Sequence, residues 1–461
     1  MGFKRLFVAN RGEIAVRIQR AARAYGLEVV QPVSAADRDS LAARQADRCV
    51  VIGPAQSKAS YLNARLLVHA AAATGCDALH PGYGFLSERA ELARLCAEAG
   101  IAFVGPEPET IDLLGDKLAA RAAAERAGVP IVPGVDRLDD PKAALRAADD
   151  LGYPVILKAS AGGGGRGVTV VHRPDALTAA FDRSSHEAAE AFGDGTLYME
   201  RYVENARHVE VQVLGDGQGA AVHFGERDCS VQRRYQKIVE EAPAAIMPED
   251  VRLRLHRAAL DLVTAARYRN AGTVEFLYDV DRNAFYFIEV NARIQVEHPV
   301  SEEIAGVDLV GLQLAVAEQH TLPMSQDSIH LSGHAVEMRI NAEDPARQFL
   351  PQPGRVDQWR APSGPGIRLD THMTDGAMVP PFYDSLIAKL IASGPDRPTA
   401  LARLGQALDA FRIEGLTTNL PLQRFIARHG DFQANRINTR WLEQHLLPAF
   451  DQQNEAADGA Y

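Results

Sequence analysis

Cysteine is scarce in this 461-residue sequence: Cys49, Cys76, Cys96 and Cys229 are scattered, with no C-x-x-C pair and no metal-ligand spacing. That excludes a disulfide framework and a zinc ribbon, and it makes a reducing compartment, the cytoplasm, the expectation. No run of about 18 apolar residues occurs, so no transmembrane helix is expected. The N-terminus, Met1-Gly2-Phe3-Lys4-Arg5-Leu6, lacks the apolar stretch and small-residue cleavage site of a signal peptide. Positive charge is also in deficit, 49 Lys and Arg against 60 Asp and Glu, for a net charge of −11. A nucleic-acid binder needs a broad basic surface to displace counterions, so that class is excluded. Anionic ligands then require basic residues gathered locally. Two phosphate-binding signatures are missing as well. No G-x-G-x-x-G follows the first apolar strand, and the glycine run Gly162 to Gly167 lacks the G-K-[ST] ending of a P-loop.

What is present suits two to four packed domains: 46% hydrophobic and 24% charged residues. The first ~115 residues alternate strand and helix. Leu6 to Ala9, Glu28 to Pro32, Cys49 to Ile52, Asp77 to His80 and Ile101 to Val104 read as strands. Asn10 stands as the N-cap of an amphipathic helix Glu13 to Tyr25, and Glu88 to Ala99 is a second helix. This βαβα order predicts a doubly wound parallel sheet. A helix Asp116 to Ala127 follows. A small α+β unit comes next, with strands Val155 to Lys158 and Val168 to Val171 and a helix around Asp175 to Ala191. Beyond residue 204 the chain is strand-rich, with a helix 249–267, and it closes as a mixed α and β part with helices near 398–411 and 419–428. The polar, small residues from about Gln452 read as a disordered tail.

Gly272 to Tyr278 and Phe285 to Asn291 are β-branched and aromatic-rich and flank the polar turn Asp279 to Asn283, which is the pattern of a hairpin. Centred near Arg282, the hairpin sets Glu275 opposite Glu289 and puts Asn291 on the same face. Like charges directly opposite are destabilising unless a cation lies between them. Two carboxylates and an amide oxygen suit Mg²⁺ completed by phosphates. Two glutamates on a solvated face would give the same pattern. The alternation continues through Arg293, Gln295 and Glu297, with His298-Pro299 ending the strand. An arginine and a carboxylate four residues apart suit a small anion and its proton, although any solvated strand alternates in this way. The glycine run between two strands, with Lys158 before it and Arg166 within it, fits either a phosphate-closing flap or a flexible hairpin loop. The run Glu226-Arg227-Asp228-Cys229-Ser230-Val231-Gln232-Arg233-Arg234-Tyr235-Gln236-Lys237 gathers basic residues in an acidic protein, as an anion site or a charged loop would. Lys117 reads alone as a surface lysine, and Arg339 as a half-buried, salt-bridged strand residue.

The stretches ANRGEIAVRI, HPGYGFLSE, KASAGGGGRG, RHVEVQVLGDG, ERDCSVQRR, GTVEFLY, NARIQVEHPV, RINAEDP and FYDSLIAKLI occur in order between Ala9 and Ile391, and the likeness they carry covers the chain from about residue 4 to about 447. Together they resemble the biotin carboxylase family of ATP-grasp enzymes. The resemblance implies an α/β and α+β multidomain fold. An N-terminal doubly wound domain (1–115) would lead to an ATP-grasp linker and mobile lid (116–203) and an ATP-grasp catalytic domain (204–330). A mixed C-terminal domain (331–447) and a tail (448–461) would follow. It implies ATP phosphates held by Lys117, Lys158, Gly164 and Gly165, and an adenine pocket lined by Glu200, Arg201, Tyr202 and Val203, with His208 and Gln232 nearby. Mg²⁺ or Mn²⁺ would sit on Glu275, Glu289 and Asn291, and bicarbonate on Lys237, Arg293, Gln295 and Val296. Glu297 would be the base that deprotonates bicarbonate, and Arg339 would stabilise the enolate-like biotin oxygen. Tyr235 departs from the His or Asn common in the family and puts the nucleotide contact there in doubt. Ala292 replaces a usual Thr or Pro.

The implied reaction is ATP- and bicarbonate-dependent carboxylation of biotin, the first half-reaction of an acetyl-CoA or other acyl-CoA carboxylase. No Met-Lys-Met biotin-attachment segment occurs, so a separate biotin carboxyl carrier protein and carboxyltransferase subunits are the expected partners. The family implies a homodimer. A different ATP-grasp ligase acting through an acyl- or carboxyphosphate would share the glutamate pair and glycine run, and a non-catalytic scaffold would share the fold.

Overall fold

The computed structural model of the chain describes residues 2–160 and 167–458. Of the glycine run, Gly162 to Gly165, with the expected phosphate contacts Gly164 and Gly165, lie outside the described residues.

The N-terminal strands are β1 (Arg5–Val8), β2 (Glu28–Val33), β3 (Arg48–Val51), β4 (Ala78–His80) and β5 (Ala102–Phe103). They form one all-parallel sheet in the order β3-β2-β1-β4-β5, as the alternation predicts. The first helix runs Gly12–Ala24, but its cap is Arg11, not Asn10. The Asn10 amide instead donates to the carbonyls of Pro81 (2.7 Å) and Tyr83 (2.8 Å), tying the first strand's exit to the loop after β4.

The helix Lys117–Arg126 starts at an Asp116 cap whose carboxylate accepts from Ala119 N–H at 2.8 Å. It leads to a four-stranded antiparallel sheet of β6 (Gly134–Leu138), β7 (Val155–Ala159), β8 (Val168–Val171) and β9 (Leu197–Arg201), ordered β6-β9-β7-β8. The helices Pro141–Leu151 and Pro174–Phe192 cover one side of it.

The platform of the molecule is an eight-stranded antiparallel sheet. It contains β10 (Ala206–Asp216), β11 (Ala221–Arg233), β12 (Gln236–Ala242), β13 (Arg269–Asp279), β14 (Ala284–Asn291) and β15 (His334–Asn341), with the strands Leu386–Gly394 and Ile367–Thr371. Their order is β14-β13-β10-β11-β12-β15, then 386–394 and 367–371. Alternate residues Val209, Val211, Val213, Val274 and Phe276 pack in one core with residues of the helix Glu249–Ala265. The intervening positions carry Glu210, Gln212, Thr273 and Glu275, and these too are buried. Polar residues are seldom fully buried unless paired, so this second face is committed to polar chemistry.

Two further expectations are corrected. The alternation Asn291 to Glu297 is not a strand: β14 ends at Asn291, and residues 292–297 bend away into a helix His298–Ala305 that Glu297 caps. β13 continues to Arg269 beyond the Thr273–Asn291 rung, but the chain leaves its edge after Asn291, and Pro299 fits the first turn of a helix. The expected disordered tail is also helical, as Leu447–Asp458. No helix among the described residues is long and apolar enough to cross a membrane.

Candidate active site

Three adjacent strands put three glutamates in one row. Glu210 of β10 is opposite Glu275 of β13, and Glu275 is opposite Glu289 of β14. The Glu275–Glu289 pairing depends on a bulge. The rungs nearer the turn are Tyr278 with Phe285 and Phe276 with Phe287, and Ile288 then drops out of register. Asn291 joins the row, its amide 2.9 Å from Glu275 Oε1.

Lys237 enters this row from β12. Its ammonium lies 2.5 Å from Glu210 Oε2, 2.9 Å from Glu275 Oε1 and 2.7 Å from Glu297 Oε1. Burial opposes the charge, but the three carboxylates hold the Lys237 ammonium well above its ordinary range. Burial pushes Glu275 up, and Lys237 and His208 outweigh it and hold the carboxyl well below the usual range. His208 Nε2 is 2.9 Å from Glu275 Oε2, and although burial lowers the imidazole, Glu275 raises it on balance.

Glu297 is buried between two cations. Its Oε1 meets Lys237, and its Oε2 lies 2.9 Å from the Arg339 guanidinium. Burial and Glu210 raise its carboxyl, yet Lys237 and Arg339 keep it lowered and ionised. Arg293, in the bend after β14, donates to Gln295 Oε1 (2.7 Å), Asn291 Oδ1 (3.2 Å) and Glu88 Oε2 (3.0 Å). Gln295 reaches Glu275 at 3.3 Å, and the Val296 carbonyl accepts from Lys389 at 2.8 Å. The sheet and one bend thus gather Lys237, Glu275, Asn291, Arg293, Gln295, Glu297 and Arg339.

Glu289 differs from its neighbours. It is half-buried, and no hydrogen bond or ion pair holds it among the described residues. Burial and the adjacent Glu275 push its carboxyl up, against the pull of Lys117 and His208. A carboxylate pair with one member unneutralised, beside an amide oxygen, fits a hard divalent cation.

The remaining residues lie around this centre. Lys117 is the first residue of its helix and is exposed. Lys158 of β7 is 2.5 Å from Glu200 of β9, and Arg121 holds the other Glu200 oxygen at 2.9 Å. Arg201 ends β9 and donates to the Leu151 carbonyl at 3.3 Å, and the Arg440 guanidinium stacks 5.5 Å above the Tyr202 ring. Val203 packs with Val132, Ala206 and Tyr286. Gln232 is buried directly opposite Lys237. Arg234 and Tyr235 form the tip of that hairpin, both with positive φ (47° and 66°), and Tyr235 is 66% exposed.

Sequence reasoning missed Glu210, Glu240 and Glu88, and it took Arg227 only as one member of the charged run Glu226 to Lys237. Arg227 is fully buried and donates to Glu210 (2.6 Å), Gln212 (2.8 Å), Ser301 (2.9 Å) and Thr273 (3.1 Å). Glu210, Arg227 and Glu88 lie inside the stretches that carry the resemblance, so being charged within a matched string was the available signal. Glu240 had none, since it reads as one of two adjacent glutamates in a strand.

Three family models match: the biotin carboxylase N-terminal domain over residues 2–111, the carbamoyl-phosphate synthase L chain ATP-binding domain over 116–325, and the biotin carboxylase C-terminal domain over 337–444. Biotin carboxylase 1 of Bacillus subtilis is 46% identical over 443 residues, covering 96% of this chain and 98% of that protein. Among solved structures, the biotin carboxylase of Campylobacter jejuni in a βγ-ATP complex is 45% identical with a TM-score of 0.89, covering 96% of this chain and 99% of that one. The biotin carboxylase domain dimer of Hydrogenobacter thermophilus 2-oxoglutarate carboxylase, bound to MgADP, ADP and bicarbonate, is 44% identical with a TM-score of 0.87, covering 96% and 98%. The parallel N-terminal sheet, the antiparallel platform and a match over nearly the whole length agree, and the chain belongs to the biotin carboxylase family.

Proposed function

We propose that the gathered residues carry out ATP- and bicarbonate-dependent carboxylation of biotin on a separate carrier protein, with Glu297 as the base. The observation that carries this reading is the position of Glu297, ionised between Lys237 at 2.7 Å and Arg339 at 2.9 Å. Bicarbonate is a small planar anion. Arg293, Gln295, Lys237 and the backbone at Val296 offer it donors beside a carboxylate that takes its proton. When bicarbonate takes over part of the Lys237 contact, Glu297 loses stabilisation of its charge and becomes a better base.

The deprotonated bicarbonate oxygen then attacks the γ-phosphorus of ATP, the bond to ADP breaks, and carboxyphosphate results. It splits to CO₂ and phosphate. Phosphate takes the proton from biotin N1′, Arg339 faces the enolate-like oxygen that develops, and N1′ attacks CO₂. Lys117, Lys158, Gly164 and Gly165 serve the ATP phosphates. Glu200 to Val203, His208, Gln232 and Tyr235 serve the nucleoside. Glu275, Glu289 and Asn291 would hold Mg²⁺ or Mn²⁺, which supplies charge neutralisation at the phosphates. Each cation stands where negative charge develops, which is where electrostatic preorganisation counts most.

The domain limits 1–115, 116–203, 204–330 and 331–447 belong to the same proposal, as do a homodimer, a biotin carboxyl carrier protein and carboxyltransferase partners, and an acetyl-CoA or other acyl-CoA acceptor. The solved dimer of the 2-oxoglutarate carboxylase domain supports the first of these partners, a second copy of the chain. Glu297→Gln tests the base. Bicarbonate-dependent ADP release should fall by about 100-fold or more, in the range for a lost general base, and near-normal turnover would remove Glu297 from that role.

A further inference from the structure

Arg339 has a second carboxylate partner besides Glu297. Its Nε donates to Glu240 Oε1 at 2.6 Å, and Glu240 is fully buried. Glu240 of β12 stands directly opposite Glu337 of β15, two residues before Arg339 on the same strand face. Cross-strand partners of this kind have β-carbons about 5 Å apart. Glu337 is fully buried as well, and neither of its oxygens has a hydrogen-bond partner among the described residues; Glu240 Oε2 is orphaned too. Two ionised carboxylates side by side, fully buried and with three oxygens lacking a protein donor, repel each other and incur the cost of burying charge. One proton between them removes the repulsion and supplies the missing donor.

We propose that Glu337 is a protonated carboxylic acid at neutral pH that donates to Glu240 Oε2, and that this acid–carboxylate pair positions Arg339. The proton belongs on Glu337 because Glu240 is the member in contact with a cation. The charged groups facing Glu337 are Glu240 from β12, Arg339 on its own strand, Lys389 from the strand 386–394, and Glu297 from the segment before the helix 298–305. Lys389 is occupied by the Val296 carbonyl and by Glu13 at 3.1 Å. His298, on that helix, is buried and held neutral. Burial pushes the Glu337 carboxyl well above the usual range against the pull of Lys389, and Glu240 and Glu297 add to the push. Burial raises the Glu240 carboxyl too, to about 7, but there the Arg339 contact pulls against it and leaves the shared proton to Glu337. Held from behind by Glu240, the guanidinium keeps an NH₂ turned to Glu297.

The catalytic half of this inference rests on the role given to Arg339 above, and the protonation half does not. Infrared spectra of the full chain at neutral pH in H₂O and D₂O should contain the carbonyl stretch of a protonated carboxylic acid, set apart from the carboxylate and amide bands. Glu337→Gln should remove that band. Glu240→Gln leaves the acid but changes its acceptor and should move the band. No acid band in the parent, a band that persists in Glu337→Gln, or one unmoved in Glu240→Gln would overturn the shared proton. In kinetics, Glu240→Gln should lower kcat/KM for biotin about tenfold more than it lowers biotin-independent ADP release, the scale of a lost charge-assisted hydrogen bond. Equal losses in the two assays would overturn the positioning role while leaving the proton assignment to the infrared result.

Discussion

Glu289 faces Glu275 across β13 and β14 because Ile288 is bulged out of the pairing. Without that bulge Glu275 would stand opposite Ile288, and Glu289 would point to the other side of the sheet. The result is a half-buried carboxylate that burial and Glu275 make harder to ionise, while Glu275 itself is satisfied by Lys237, His208 and Asn291. Glu289→Gln should therefore raise the Mg²⁺ concentration for half-maximal ADP release by about tenfold or more, as expected for a lost charged ligand. A Mg²⁺ titration at fixed ATP measures this, and an unchanged midpoint would take Glu289 out of the metal set.

Lys237 is the shared cation of Glu210, Glu275 and Glu297. Lys237→Met should abolish bicarbonate-dependent turnover and lower unfolding stability by about 3–5 kcal/mol, the scale of a buried ion pair left with one partner. Urea unfolding at pH 7 checks the stability half. At low pH, where the freed carboxylates are protonated, the variant should recover part of the difference.

Glu241 ties β12 to the C-terminal part: it meets His334 Nε2 at 2.9 Å and Arg397 Nε at 2.6 Å. Burial raises its carboxyl, but His334 and Arg397 bring it from 4.5 down to about 2. A carboxyl depressed by folding contributes its full stability above its unfolded pKa and loses it as pH falls through the folded one. This contribution is thus complete above pH 4.5 and disappears toward pH 2. Melting temperatures from pH 6 down to about pH 3 should fall more steeply in the parent than in Glu241→Gln.

Tyr235 and Arg234 both hold left-handed backbone at the β11–β12 turn. That region suits Gly and Asn, and a tyrosine there is strained by about 1 kcal/mol. Its ring is mostly exposed, so little packing is lost on replacement. Tyr235→Asn should raise the melting temperature by about 1 °C, and a fall would show that the ring makes a stabilising contact.

The parts of the fold written in local periodicity were legible. The five parallel strands and the β13–β14 hairpin follow from alternation and turn residues. The Glu275–Glu289 pairing was reached from a hairpin centred on Arg282, whereas the turn is centred half a residue earlier and the bulge makes up the difference. Asn291 to Glu297 alternates like a strand, yet the chain leaves the edge of β13 after Asn291 and turns into a helix with Pro299 in its first turn. Asn10 sits where a cap belongs, but two carbonyls beyond β4 claim its amide. Glu210 and Glu240 were hard to read as site residues for a different reason. Glu210 is one polar position in an alternating strand and Glu240 one of two adjacent glutamates, and only the strand order reveals that the face opposite the helices is closed over rather than solvated.

The most direct test of the whole account is ADP release by the purified chain with Mg-ATP, adding bicarbonate and biotin separately and together. The account predicts no cleavage without bicarbonate, slow cleavage with it, and a marked rise when biotin is supplied at high concentration. Cleavage that ignores biotin would contradict the assignment of Arg339 and Glu297 to biotin carboxylation, and absence of cleavage even with a biotinylated carrier protein would contradict catalysis by this site.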